Sequence, residues 1–82
     1  MTTEAKQNHG NPDLHVEVNN TEEPIPPGSY SVNDLKTRWG IPLDYELDRV
    51  EHGKLVALDP NVPVTPKNGD HFVSHVASGS SA

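Results

Sequence analysis

Apolar and polar residues alternate over Leu14-His15-Val16-Glu17-Val18, which predicts a half-buried strand with Leu14, Val16 and Val18 turned to the core. Asn19-Asn20 follows, and asparagine tolerates the positive φ of a tight turn. Pro24, Pro26 and Pro27 bracket Ile25, so any strand here is short and lies at a sheet edge. Val32, Leu35 and Trp39 then fall at i, i+3 and i+7, one face of a helix. The spacing predicts a helix over Ser31 to Trp39. Ser31 is its N-cap, Asp34 stands in the capping-box position, and Lys36 and Arg38 lie where cations suit the helix dipole. Gly40 takes the left-handed position after the helix, with Ile41 packing back and Pro42 preventing continuation.

Alternation returns in Tyr45-Glu46-Leu47-Asp48-Arg49-Val50 and predicts a strand, followed by a turn at Glu51-His52-Gly53-Lys54. Lys54 to Leu58 is a short apolar run, also read as a strand, that Asp59-Pro60-Asn61 breaks. Proline restriction makes Val62 to Pro66 extended. Lys67-Asn68-Gly69-Asp70 is a tight turn, and His71 to Val76 is the last strand, with Phe72 inward and His71, Val73 and His75 outward.

Composition sharpens the domain limits. Leu, Ile, Val and Phe number 18 of 82 residues, close to the disordered range, but all lie between Leu14 and Val76. The expected organisation is a polar N-terminal arm over 1–12, a folded domain over 13–76 and a mobile tail over 77–82. A domain that small has little room for a deep catalytic cleft, so the chain is read as no enzyme and without a cofactor. With 6 Lys plus Arg against 12 Asp plus Glu, the net charge is −6 and excludes the basic stripe of a nucleic-acid or anionic-lipid binder. No apolar run reaches the roughly 20 residues of a membrane helix, and the start of the chain has no signal-peptide region. A cytoplasmic protein, monomeric on its own, is expected. There is no cysteine, hence no disulfide, thiolate site or cysteine nucleophile.

One helix packed on one face of a mixed sheet of four to five strands is an α+β arrangement that describes a β-grasp. The stretch from Ser31 to Val76 resembles the bacterial multiubiquitin-type, ubiquitin-like domains. Three pieces carry the resemblance. Trp39-Gly40-Ile41-Pro42 is similar to the family's Ala-Gly-hydrophobic-Pro helix end, and Asp44-Tyr45-Glu46-Leu47 to its Tyr-Glu-Leu strand. Val62, Val64 and Lys67-Asn68-Gly69-Asp70-His71-Phe72 are similar to its Val-x-Leu-Lys-x-Gly-Asp-x-Phe segment. The resemblance implies a protein modifier whose terminal carboxylate is adenylated by a ubiquitin-activating-like enzyme and passed on by a conjugating-like enzyme. Such modifiers usually end in two glycines, whereas this tail reads Ser78-Gly79-Ser80-Ser81-Ala82. A processing peptidase that removes Ser80 onward would expose Gly79, and Ser78 and Gly79 are slim enough for a narrow active-site channel. The alternatives are a sulfur carrier ending in a thiocarboxylate and a non-conjugated interaction module. The lone glycine favours the latter.

His71 and His75 have a metal spacing on a helix, but on a strand they stand roughly 13 Å apart, which leaves no metal site. With Val73 they form a candidate docking patch on the strand leading into the tail. Asp44, Glu46 and Asp48 read as a solvated acidic face, and Trp39 as core. Lys6, Lys36, Lys54 and Lys67 are the candidate acceptors for chain formation, with Lys6 and Lys54 foremost.

Overall fold

The structure, a computed structural model, describes residues 12–77. Within them, five strands and one helix follow in the order β1 (Leu14–Val18), β2 (Thr21–Ile25), α1 (Val32–Arg38), β3 (Tyr45–Glu51), β4 (Lys54–Ala57) and β5 (His71–Val76). The strands form one mixed sheet in the order β2-β1-β5-β3-β4. Only the β1–β5 pair is parallel, and it sits at the centre. The first and last strands are therefore neighbours, and everything between them is the crossover that a parallel pair demands. The expected arm at 1–12 falls almost entirely outside the described residues, as do Lys6 and the tail residues Ser78, Gly79 and Ser80. No helix among the described residues is long and apolar enough to cross a membrane.

The helix is bounded by the residues its sequence assigns to the ends. Ser31 has extended backbone and its Oγ accepts from the Asp34 amide at 3.0 Å. At the other end Ile41 N–H donates to the Lys36 carbonyl at 2.8 Å and Gly40 N–H to Thr37 at 3.3 Å, with Gly40 at φ +70°. This is a Schellman closure, and glycine supplies its left-handed residue. Seven residues lie inside the helix, two fewer than the expected span, because Ser31 and Trp39 serve as caps. A helix this short is stable only when packed.

Val32 and Leu35 from the helix meet Val16, Val18, Ile25, Leu47 and Phe72 from the sheet in a core completed by Ile41 and Val64. Trp39 is half-buried and lies against Phe72, with ring centroids 5.2 Å apart. Val64 is held by a two-bond bridge to Tyr30, each amide donating to the other's carbonyl at 2.8 Å. Two positions on, Pro66 has no amide to donate, and two positions back the Val62 N–H is committed to the Asp59 carbonyl at 3.0 Å, so the extended segment stops at one pair.

The Asn68-Gly69 turn positions the last strand. Asn68 Oδ1 accepts from the His15 amide, Gly69 N–H donates to the His15 carbonyl, and Glu17 N–H donates to Asp70, all at 2.8 Å. Gly69 adopts φ +90°. The turn thus sets β5 beside β1 before the strand begins. β2 runs at the outer edge through Pro24, where the missing amide costs no ladder bond.

Candidate functional site

Register decides which side chains share the face of the sheet away from the helix. Leu47, Phe72, Val16 and Val18 point to the helix, so Glu46, Asp48, His71, Val73, His75, His15 and Glu17 point away from it. Glu22 stands opposite Glu17 and Leu55 opposite Val50 on the same side. The three residues expected to form a docking patch, His71, Val73 and His75, therefore occupy one face of the central strand β5.

The patch is more enclosed than its strand parity suggests. Val73 is half-buried instead of exposed, since it stands opposite Asp48 on β3. Both histidines are half-buried as well. The expectation that Asp44, Glu46 and Asp48 form one solvated acidic face is corrected at Asp48, which is only 6% exposed. His75 covers it, with Nε2 2.9 Å from Asp48 Oδ2, and the small side chain of Ala57 stands opposite on β4. Strict alternation on β3 fails here because both Leu47 and Asp48 are buried, one on each face. Asp48 Oδ1 and His71 Nε2 are buried without a hydrogen-bond partner among the described residues.

Histidines on this face pair with acids. His15 Nδ1 is 2.9 Å from Glu22, and His71 Nδ1 is 3.8 Å from Glu17. His75 Nε2 adds Glu46 at 3.8 Å to its contact with Asp48. The other ring nitrogen of His75 lies 3.2 Å from the Val76 carbonyl. Both nitrogens thus face acceptors, which only the doubly protonated ring can satisfy as a donor. The Val76 carbonyl first and the Asp48 carboxylate second raise the His75 pKa above 6.5. The arginine of β3, Arg49, belongs to the helix side, where its guanidinium carbon lies 5.6 Å from the centre of the Phe72 ring. The charge of the outer face is accordingly set by four carboxylates and by how many of its histidines carry a proton.

Among the described residues no group of three or more His, Asp or Glu is arranged to hold a metal ion. A groove of about 460 Å³ lies on the helix side, lined by Val32, Lys36, Leu47, Leu58 and Pro60 among others. It is open to solvent. Lys36 is 7% exposed, and its ammonium donates to the Leu43 carbonyl at 3.1 Å. Its place among the candidate acceptor lysines is corrected, because a buried amine is shielded from an incoming acyl group. Sequence reasoning missed this since the lysine lies one residue beyond Leu35, at the margin of the apolar stripe. Lys54 and Lys67 are exposed.

The root of the tail lies beside the face. Val76 is 62% exposed, ends β5 opposite Tyr45, and is bonded through its carbonyl to His75. No protein-family profile, no curated protein and no solved structure matches this chain.

Proposed function

We propose that this chain is a ubiquitin-like β-grasp modifier that docks on its enzymes through the outer face of β5 and reacts through the tail that β5 leads into. The fold reading rests on the β2-β1-β5-β3-β4 order, with a parallel central pair and one helix over one face. The observation that carries the functional reading is the continuity of β5. His71, Val73 and His75 lie on one strand face, and the same strand delivers Val76, exposed, to the start of the tail. A partner that grips the face fixes where the tail enters its active site.

The chemistry asked of the chain is modest. A tail trimmed to Gly79 offers a carboxylate that attacks ATP, giving an acyl-adenylate and pyrophosphate. A thiol and then an amine displace AMP and thiol in turn, and an exposed lysine of a target or of a second copy, such as Lys54, receives the acyl group. Acidic side chains on the docking face suit a partner with a basic rim around an apolar centre, since complementary potentials guide encounter. The test is incubation of the trimmed chain with a cognate activating enzyme and ATP, followed by intact-mass analysis. A covalent adduct that hydroxylamine releases supports the modifier. A chain that binds the enzyme without any adduct supports the non-conjugated interaction module that the lone glycine favours.

A further inference from the structure

The two edges of the sheet differ. The β2 edge carries Glu22, Glu23 and Pro24, charges and a missing amide that discourage strand addition. The β4 edge, Lys-Leu-Val-Ala, has no proline, and its only charge stands at its first position. All four of its residues are exposed, with Leu55 at 57% and Val56 at 40% on opposite faces. We propose that two copies of this chain associate through β4, antiparallel and with Val56 on the two-fold axis, into one continuous sheet.

The turn that opens β4 determines which backbone groups are free. His52 and Gly53 have φ values of 53° and 78°, a two-residue turn of type I′. Its flanking residues Glu51 and Lys54 then form a hydrogen-bonded pair, and so do Arg49 and Val56 two positions on. Leu58 N–H continues the ladder to the Leu47 carbonyl at 3.0 Å. The amides and carbonyls of Leu55 and Ala57 therefore point outward, and no partner for them occurs among the described residues.

This arrangement selects one register. In an antiparallel pair, outward-pointing residues face outward-pointing residues. Only a two-fold axis at Val56 sets Leu55 against Ala57 of the second copy and Ala57 against its Leu55, for about four backbone hydrogen bonds. An axis at Leu55 would set Ala57 against Gly53 in the turn, and one at Ala57 would set Leu55 against Asp59 beyond the strand. In the selected register Lys54 faces Leu58 of the other copy, so no like charges meet. One open edge per chain also makes the assembly close: the contact is isologous, and both outer edges of the joined sheet are the Glu- and Pro-protected β2. A second copy is thus favoured over an unrelated extended peptide. The contact is short, and two chains of net charge −6 repel, so the dimer is reversible and strengthens as salt screens that repulsion. It is independent of the modifier reading, although the joined sheet would present two docking faces on the same side.

Sedimentation equilibrium of the 82-residue chain from about 10 µM to about 1 mM, with amide hydrogen exchange at both ends of the range, tests this. A monomer–dimer equilibrium is expected, with the Leu55 and Ala57 amides gaining protection at high concentration while the β2 amides do not. Val56→Lys sets two ammonium groups on the axis and should weaken association by about tenfold or more. Ala57→Pro deletes an outward amide without touching the β3 ladder and should do likewise, which guards against a folding defect in the first variant. A monomer throughout the range, a dimer that both variants leave intact, or a monomeric chain that protects Leu55 and Ala57 only when an extended apolar peptide is added would each overturn the proposal.

Discussion

His75 and Asp48 join the two central antiparallel strands across the outer face, imidazole Nε2 to carboxylate Oδ2 at 2.9 Å, while the same ring reaches the Val76 carbonyl. The contact couples the protonation of one side chain to the root of the tail. The His75 pKa is raised, first by the Val76 carbonyl and then by Asp48, so the folded state binds its proton more tightly than the unfolded chain. The stabilisation is complete below the unfolded value of 6.5 and is lost as pH rises through the higher folded value. Melting temperatures of wild type and His75→Gln, compared between about pH 5.5 and pH 8.5, should differ most at the acid end and converge with rising pH. Asp48→Asn should lower the His75 midpoint seen by NMR. A midpoint at or below 6.5 in the wild-type chain would refute the paired arrangement.

Val73 stands directly opposite Asp48, and this changes what a docking variant can be. Val73→Asp would place a second carboxylate against a buried one. It should lower the melting temperature at pH 7 by more than Val73→Ser does. Val73→Ser and His71→Ala keep the charge count acceptable and are the variants that report on docking. They should leave the thermal transition within a few degrees of wild type and weaken capture by an activating enzyme. Equal melting curves for Val73→Asp and wild type would show that the valine does not face Asp48.

The core depends on a helix too short to exist alone. Leu35 is fully buried, and Leu35→Ala should cost about 2–5 kcal/mol. A single small core rarely supplies more than about 3–5 kcal/mol, so the cooperative thermal transition should disappear. Gly40 gives a graded comparison. A Cβ there would meet nothing within 4 Å, but φ is +70°. Gly40→Ala should therefore cost only the left-handed strain, about 1–2 kcal/mol, and still melt cooperatively. If Gly40→Ala proved as damaging as Leu35→Ala, the helix end would be packed more closely than the structure places it.

Local signals carried much of this fold. The Ser31 cap, the Gly40 closure and the proline-marked edge strand each follow from a residue whose backbone preference is strong, and the structure has all three. Alternation placed Phe72 inward on β5 and Val16 and Val18 inward on β1. Two residues escaped the pattern. Asp48 reads as a solvated acid because its burial comes from His75, a residue distant in sequence and opposite only once β3 and β5 pair. Lys36 reads as a surface amine because a lysine beside an apolar stripe gives no sign that its head turns to the Leu43 carbonyl. Strand order was equally beyond local reading, since the β1–β5 pairing is set by the Asn68–His15 contact across the whole crossover.

The lysines offer a chemical check on that burial. An amine-reactive ester applied briefly to the folded chain should modify Lys54 and Lys67, which are exposed, well before Lys36. Denaturant should erase the difference, because the protection belongs to the fold. Peptide mapping reads the order directly. Early modification of Lys36 in the native chain would place its ammonium in solvent and return it to the set of acceptors.

The tail carries the most direct consequence of the modifier proposal. Gly79 lies three residues past Val76, where the core strand ends, so changes there should spare the fold. Removal of Ser80-Ser81-Ala82 should be harmless or should bypass the peptidase. Gly79→Val should block activation, because a β-branched side chain is stiff and bulky where a terminal carboxylate must enter a narrow channel. Removal of residues 79–82 should abolish adduct formation while the melting curve stays that of wild type. The measurement is adenylate or covalent-adduct formation with a cognate activating enzyme, run beside thermal melts of each variant. Undiminished adduct formation by the chain lacking residues 79–82 would reject Gly79 as the reacting terminus. Enzyme binding retained by every tail variant, with no adduct from any, would make the outer face of β5 the whole of the function and the chain an adaptor.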